Sequence, residues 1–381
     1  MLKTANYKNI FIVLVLLVIM FGIIVEPTNS IESAKEGLYI WLNLLLPSLF
    51  PFIFISNLLI SFGFVKFIGR FLEPIMRPIF KVPGSGIFPF LISILSGYPV
   101  GAKLSASLRK KNTISKVEGN RLISFSSTSG PLFILGTVMI GMLGINEAPL
   151  FVLPHYLAIV TVGFFFRFYG RKNNNYKKIK NINDEKFKTL GDSMGLAVKD
   201  SMNSMLLIGG YLIIFTVIIN LLLDSSVFNY TILGISSSLK INPDLVKGLL
   251  AGIIELTNGC YIVSNLDIDL IYKVLIINFL IGWGGFSINS QAISFISQTD
   301  LSVGIYLLSK ILHGILASFY TYIIHFFLYK DNILTVFLDI SEKPTIATWI
   351  EMFSASFSII FSAIILLILL SIFINEMKKR T

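Results

Sequence analysis

Apolar runs long enough to cross a bilayer occupy most of this chain, and short polar segments separate them. Such runs lie near residues 9–25, 38–62, 121–143, 149–169, 200–223, 271–297, 303–329 and 349–375. The hydrocarbon core of a bilayer is about 30 Å thick, and a helix needs about 20 residues to cross it. The pattern therefore predicts an all-α polytopic membrane protein with about eight transmembrane helices.

Two shorter apolar stretches, residues 86–108 and 245–264, carry glycine, proline or hydroxyl residues at their centres. Neither stretch is long or uniform enough to span comfortably. Irregular backbone at membrane depth is stable only where protein or a water-filled cavity satisfies its polar groups. We interpret both stretches as re-entrant hairpins, which enter and leave the membrane on the same side.

The order of these elements occurs twice. A helix, a hairpin, a broken helix and a final helix follow one another over residues 38–169 and again over 200–329. Each set contains three crossings, so the two repeats are predicted to be inverted. Paired interruptions of this kind are typical of transporters that bind solute near the bilayer midplane. The rest is an N-terminal anchor helix and outer loop (1–37), a basic cytoplasmic linker (170–199), and an outer loop, C-terminal helix and basic tail (330–381).

Basic residues orient the chain, because Lys and Arg accumulate in cytoplasmic loops of membrane proteins. With a cytoplasmic N-terminus and non-crossing hairpins, all but six of the 31 basic residues fall on the cytoplasmic side; the exceptions are Lys35, Lys240, Lys247, Lys273, Lys330 and Lys343. We expect a multi-pass protein of the cell membrane with both termini cytoplasmic. Membrane lipid is a candidate partner of the basic loops. Nucleic acid is not, because there is no basic soluble domain.

The second hairpin carries the most distinctive candidate residue, Glu255, with Thr257 and Asn258 beside it. An ionisable side chain within a membrane segment is a functional-site hypothesis by default. Its carboxylate is suited to accept a substrate hydrogen bond, bind a cation or carry a proton. The alternative is that it pairs with a backbone amide at a half-helix N-terminus and only holds the hairpin. In the first hairpin the candidates are Tyr98 and Lys103, and Lys103 has snorkelling to the cytoplasmic edge as its alternative.

The two broken helices supply further polar candidates. Ser127, Thr128 and Ser129 precede a Gly-Pro step in the first, where freed backbone groups can face a cavity. The second contributes the amides of Asn278, Asn289 and Gln291. Amides that present donors and acceptors suit a polar neutral ligand, and they are equally able to bond to one another. Serine and threonine also join membrane helices by packing and hydrogen bonding.

Several apparent motifs favour neither an enzyme nor a cofactor. His155, His313 and His325 share no metal-ligand spacing and are interpreted as packing or interfacial residues. The lone Cys260 excludes an intrachain disulfide and a cysteine zinc site. Residues 191–195 match the G-x-S-x-G pattern, but that motif requires an α/β sheet. The sequence therefore predicts no catalytic residues, no metal and no cofactor.

An ordered set of motifs covers nearly the whole chain. The segments are LPSLFPF at 46–52, SNLL at 56–59, LEPIMRPIFKVPG at 72–84, SGYP at 96–99, GAK at 101–103 and TSGPLF at 128–133, followed by the hairpin at 255–260 and the break at 283–291. This set resembles the sporulation integral membrane proteins of the YlbJ type. That resemblance implies a nucleoside-recognition, or Gate, domain, similar to modules of concentrative nucleoside transporters, ferrous-iron permeases and spore maturation proteins. It also implies a role in spore cortex formation.

Two functions remain open at this point. The first is secondary transport or facilitated passage of a small polar solute, of unknown identity, through a site between the hairpins and broken helices. The second is a non-transporting membrane scaffold that recruits cortex-assembly proteins through its basic loops. A homo-oligomer or a sporulation membrane partner is compatible with either function.

Overall fold

The computed structural model describes residues 7–145, 148–170 and 189–328, and this part of the chain is helical without strands. Most of the predicted basic linker (171–188) and the predicted outer loop, C-terminal helix and basic tail (330–381) lie outside the described residues. Their topology therefore stays a prediction.

The first half contains eight α-helices and two π-helical segments among its described residues. They are α1 (Tyr7–Val25), α2 (Pro27–Ile40), a π segment (Trp41–Leu45), α3 (Leu46–Ser61), α4 (Phe64–Phe80), α5 (Ile87–Ser96), α6 (Val100–Lys110), α7 (Lys116–Ile123), a π segment (Leu132–Met142) and α8 (Ala148–Phe166). A 3-10 turn at Gly84–Gly86 precedes α5. The second half comprises α9 (Leu190–Asp224), α10 (Ser226–Leu239), α11 (Pro243–Ile254), α12 (Leu256–Ser264), α13 (Leu270–Trp283), α14 (Gly285–Ile296) and α15 (Val303–Leu328).

The two halves contain their elements in the same order. Apart from α1, each begins with a long helical stretch, which is Pro27 to Ser61 in the first half and the 35-residue α9 in the second. A shorter helix follows (α4 and α10), then a helix pair (α5–α6 and α11–α12), a broken helix and a final helix. Both long helices begin roughly three turns earlier than the apolar pattern predicts at 38 and 200. Buried serines on those extra turns explain the extension, because Ser33 and Ser193 pack inside the molecule.

The two long helices pack against each other along their length. Trp41 donates from Nε1 to the carbonyl oxygen of Met205 at 2.9 Å, and its ring lies against Gly209. Asn57 donates to Ser201 near one end, and Asn220 donates to Ser33 near the other. Polar contacts of this kind fix the register of membrane helices where lipid offers no partner.

The apolar pattern missed helices α4 and α10. Helix α4 is amphipathic, carries basic residues and contains Pro74 and Pro78, so it lacks the continuous apolar run of a spanning helix. Its second half meets the segment Gly84–Ser96 at an angle of 86°. The bend is tight because the Gly84 backbone lies against that of Gly69, where a Cβ atom on Gly84 would fall 1.8 Å from the Gly69 carbonyl oxygen.

Three helical stretches in the described residues are long and apolar enough to cross a membrane: Leu190–Asp224, Leu270–Ile296 and Val303–Phe327. The count rises to five if two bent pairs, Val13–Val25 with Pro27–Asn43 and Leu72–Phe80 with Gly84–Ser96, each form one span. The predicted runs at 121–143 and 149–169 contain the shorter apolar helices Phe133–Met142 and Leu150–Phe166. The chain is thus a helical, multi-pass integral membrane protein, and the figure of eight spans stays a prediction.

Candidate functional site

Four interruptions of the helices meet inside the molecule. The first lies between α5 and α6 (Gly97–Pro99), the second follows α7 (Ser124–Pro131), the third is Glu255, and the fourth is Gly284–Gly285. A Cβ atom on Gly97 would lie 3.2 Å from the Gly130 nitrogen, and one on Gly285 would lie 3.0 Å from the Leu256 nitrogen. The Tyr98 hydroxyl donates to the Ile281 carbonyl oxygen and so joins the first break to the fourth. The sequence therefore brings its four irregular segments to one place.

The second break is lined by buried hydroxyls. Ser126, Ser127, Thr128 and Ser129 are each no more than 1% exposed. The Thr128 amide donates to Ser93 Oγ at 2.9 Å, which ties this break to the first helix pair. Ser126 Oγ lies 2.8 Å from Ser105 Oγ on α6. These contacts satisfy part of the backbone that the interrupted helix leaves unpaired.

Helices α8 and α15 close the site on a further side and bring two histidines together. The rings of His155 and His313 have centroids 4.5 Å apart, and His313 donates from Nε2 to the His155 carbonyl oxygen at 3.0 Å. His155 Nε2 lies 2.8 Å from Thr128 Oγ1. On the next position of α8, the Tyr156 hydroxyl donates to the Ser129 carbonyl oxygen at 2.9 Å. The histidines are therefore part of the polar centre rather than interfacial residues.

The charge at this centre is Lys310 on α15, which is fully buried. Its ammonium group donates to the carbonyl oxygen of Ser127 in the second break. The same Nζ lies 5.6 Å from the ring centroid of Tyr98 and 5.9 Å from that of Tyr306. A cation within about 6 Å of an aromatic face is attracted to the ring quadrupole.

Several polar atoms around Lys310 are buried without a hydrogen-bond partner among the described residues. The hydroxyls of Tyr306 and Ser127 are adjacent but form no hydrogen bond of normal geometry. The unpartnered set also includes Ser129 Oγ, His155 Nδ1 and His313 Nδ1. Buried polar atoms are normally paired, and each unpaired one costs about 1–3 kcal/mol. Their concentration here indicates a place that receives water or a polar solute.

Glu255 has the capping role that the sequence left as its alternative. Its carboxylate is 6% exposed and accepts the Asn258 N–H at 2.8 Å, at the N-terminus of α12. Asn258 is half-buried, whereas Thr257 is exposed and shares the outer face of α12 with Tyr261. The sequence predicts Thr257 as a site residue, and the structure places it beside the Glu255 carboxylate at the N-terminus of α12.

The predicted amides form hydrogen bonds within the second half and from the second half to α8. Asn289 donates from Nδ2 to the Trp283 carbonyl oxygen at 3.0 Å and spans the fourth break. Asn278 uses both amide hydrogens, one for the Leu150 carbonyl oxygen at 3.1 Å and one for Thr321 Oγ1 at 2.7 Å. Gln291 is buried on α14. Asn289 and Asn278 each keep an unpartnered oxygen among the described residues, so neither amide is fully satisfied.

Lys103 lies apart from this centre on α6. It is half-buried, and its Nζ has no hydrogen-bond partner among the described residues. The acidic residue whose charge acts on it is Asp200 on α9.

Lys310 and Tyr306 are the site residues that the sequence analysis missed. The charge count placed Lys310 with the cytoplasmic basic residues, whereas the structure buries it completely. The sequence does contain a signal for Lys310, because Lys310 is the only Lys, Arg, Asp or Glu between Val303 and Leu328. A lone charge inside an apolar run is a default functional candidate. Among the described residues no cluster of three or more His, Cys, Asp and Glu side chains is placed to hold a metal.

The fold and this centre define a class: a helical membrane protein in which interrupted helices meet at a buried polar site. A family model described as "Gate: Nucleoside recognition" matches residues 43–146. The sporulation integral membrane protein YlbJ of Bacillus subtilis (strain 168) is 36% identical over 318 residues, which are 78% of this chain and 78% of that protein. An uncharacterized protein of Alkalihalophilus pseudofirmus, BpOF4_10220, is 27% identical over 106 residues, 28% of this chain and 22% of its own. No solved structure matches. The chain belongs to the YlbJ family, as its motifs predicted.

Proposed function

We propose that this chain is a secondary transporter or permease for a small polar solute, and that it acts in the cell membrane during sporulation and serves spore cortex formation. One observation carries the transport proposal: all four interruptions of the helices meet at a buried polar centre. Interrupted helices are the usual way in which transporters place backbone dipoles and polar side chains at midmembrane depth. The sporulation role rests on the name of the Bacillus subtilis relative and on the family. No catalytic role is proposed.

The proposed topology has eight transmembrane helices and two re-entrant hairpins, α5–α6 and α11–α12, in two inverted repeats. Its support is the matching order of elements in the two halves and the antiparallel packing inside each helix pair, such as Gly259 on Gly252. The basic residues orient the proposed arrangement with both termini cytoplasmic. Exchange of conformations between two inverted repeats would open the centre to each side in turn.

In this proposal the solute lies against Tyr98, Ser127, Thr128 and Ser129 from the first half. Glu255, Asn258, Asn289 and Gln291 approach it from the second, while Lys103 and Asn278 lie at greater distance from the centre. Lys310 supplies the central charge. An ammonium has three donors and no acceptor, so it favours a solute that presents a negatively charged or carbonyl oxygen. The centre is closed in this structure, since the side chains around Lys310 are fully buried, and solute entry therefore requires an opening motion.

The first test is a ligand screen by thermal shift on the detergent-purified chain, with Lys310→Met in parallel. The panel contains nucleosides, cell-wall precursors, amino acids, dipicolinate and divalent ions. A ligand at about 100 times its dissociation constant stabilises the folded state by about 2.7 kcal/mol. We expect one class of compound to raise the melting temperature of the wild-type chain and to leave that of Lys310→Met unchanged. Methionine is a suitable replacement because it fills similar volume without charge.

The same screen decides between transport and the scaffold alternative. No shift from any compound, together with normal sporulation of variants at Lys310 and Asn289, would contradict a solute site. Loss of sporulation on replacing the basic linker at 170–192 would then favour a scaffold that recruits cortex-assembly proteins.

A further inference from the structure

Lys310 is a buried cation with no carboxylate beside it among the described residues. It lies within the apolar stretch Val303–Phe327, and its hydrogen-bond acceptor is a neutral backbone carbonyl. Ion pairs such as those of Arg77 with Glu73 and Glu118, and of Arg109 with Asp300, do not include Lys310. Buried charges in proteins are normally paired. Lys310 therefore has no permanent counterion among the described residues, and a transiently bound group is suited to balance its charge.

The groups facing Lys310 are neutral or basic on every side. Tyr306 and His313 precede and follow it by one turn on α15. Helix α8 contributes His155 and Tyr156, and the first hairpin contributes Tyr98.

The other described elements packed on α15 add no acid at this depth. Helices α13 and α14 bring buried amides and a hydroxyl, Asn278, Asn289 and Ser287. Helix α7 carries Glu118 in its first turn and Arg121 in its last turn. Glu118 bonds to Arg77, and Arg121 donates to the carbonyl oxygens of Lys81 and Tyr169. On α12, Cys260 lies close to Tyr98 on the side away from Lys310, and Glu255 lies close to Cys260.

The two histidines offer a path for a proton. Both use Nε2 for hydrogen bonding, with Thr128 and with the His155 carbonyl, and both have Nδ1 buried and without a partner among the described residues. Both rings also lie within electrostatic reach of Lys310. Because His313 Nε2 donates to a carbonyl oxygen, Nδ1 of its neutral ring carries no proton and is able to accept one. His313 lies one turn from Lys310 on α15.

We infer that Lys310 is the proton-coupling residue of the transporter, with His155 and His313 as its relay. The inference rests on the proposed transport function and concerns the same site. In the loaded state the Lys310 ammonium faces an acceptor group of the solute. When the solute leaves, one Nζ–H bond breaks, its electron pair stays on Nζ, and the proton bonds to an imidazole Nδ1 and then to water on the open side. Glu255 takes no part in the proton step, because its carboxylate caps α12.

The test replaces Lys310 by arginine and by methionine in proteoliposomes loaded with a pH-sensitive dye. Arginine keeps the positive charge but does not release a proton in proteins. The probes are glutamate, dipicolinate and inorganic phosphate, driven by an imposed pH gradient. We expect Lys310→Arg to keep its thermal shift with the transported probe and to lose proton-driven accumulation by about tenfold or more, the scale of a typical coupling free energy. Lys310→Met should lose both.

Lys273 provides the matched control, because it also donates to a backbone carbonyl, that of Ser264 at 3.0 Å, but lies outside the centre. Lys273→Arg and Lys273→Met should transport as the wild-type chain does. Melting curves establish that each variant is folded. Proton-driven accumulation by Lys310→Arg at the wild-type level would overturn the coupling role while leaving transport intact. Absence of uptake by the wild-type chain with every probe would overturn transport itself, and this assignment with it.

Discussion

The two helix pairs that carry the first and third breaks differ in how closely each packs on itself. The α5–α6 pair depends on the rest of the molecule: Tyr98 donates to Ile281 in the second half, and Gly101 lies against the Ser126 carbonyl of the second break. The α11–α12 pair has tight contacts of its own, since Glu255 caps α12 and Gly259 packs on Gly252, and Trp283 adds a hydrogen bond to the Ile253 carbonyl oxygen at 3.0 Å. Glu255 therefore has a structural role in its hairpin in addition to the solute contact proposed for it. The positive charge at the centre comes from Lys310 on α15.

Replacement of the contact glycines should give the largest effects and tests this difference directly. A Cβ atom on Gly259 would lie 2.1 Å from the Gly252 Cα, and one on Gly101 would lie 1.5 Å from the Ser126 oxygen. Overpacking of this kind costs about 1–3 kcal/mol or more. We expect Gly259→Val to abolish the folded protein. Gly101→Val should leave α11–α12 folded while separating the first two breaks. Fluorescence-detected size exclusion in detergent measures the folded yield.

Gly234 provides the control for this pair, because it lies in α10, where a Cβ atom would meet no other described atom within 4 Å. Gly234→Ala should raise stability by up to about 1 kcal/mol through helix propensity. If Gly259→Val folded as well as Gly234→Ala, the close packing of Gly259 on Gly252 would not be required for the fold.

Local sequence chemistry predicted where the helices break, but not which distant side chains contact the breaks. Glycine, proline and hydroxyl residues act on the backbone within a few positions, so the interruptions at Gly97, Gly130 and Gly284 were readable. The contact of Lys310 with Ser127 joins residues 183 positions apart, and no local pattern encodes it. Helix α4 was missed for another reason: its two internal prolines and its basic residues interrupt the continuous apolar run that predicts a spanning helix.

The next prediction concerns Glu255 and distinguishes the contribution of its cap hydrogen bond from that of its negative charge. Removal of an N-cap side chain costs about 0.5–2 kcal/mol. Glu255→Ala should lose about that much, because the Asn258 N–H at 2.8 Å loses its acceptor. Glu255→Gln keeps an oxygen in place and should lose less. Chemical denaturation in detergent, with helix content as the signal, measures both. Equal losses in the two variants would mean that the negative charge, not the cap, stabilises the hairpin.

Tyr98→Phe probes the dependence of the first hairpin on the second half. The substitution removes the donor to Ile281 and leaves that carbonyl without this partner. The net loss for a buried hydrogen bond is about 0.5–1.5 kcal/mol. We expect reduced stability together with faster hydrogen exchange at residues 97–101, because the hairpin tip opens more often. Unchanged exchange there would show that glycine packing alone holds this tip.

The smallest effect is expected at the charged contact between α6 and the loop before α15. Arg109 bonds both oxygens of Asp300, at 2.7 and 2.9 Å, and this pairing holds the pKa of the Asp300 carboxyl below its ordinary value. A carboxyl with a lowered folded pKa adds stability above its unfolded pKa of about 4, and that stability is lost as the pH falls through the folded pKa. The Asp300 side chain is 46% exposed, so solvent screening limits the contribution to below about 1 kcal/mol. Asp300→Asn should therefore lower the melting temperature slightly at pH 7, and the difference from the wild-type chain should shrink as the pH falls from 4 through the folded pKa of Asp300. An equal loss across this pH range would assign the effect to hydrogen bonding rather than charge, and would make this contact a packing link between the halves.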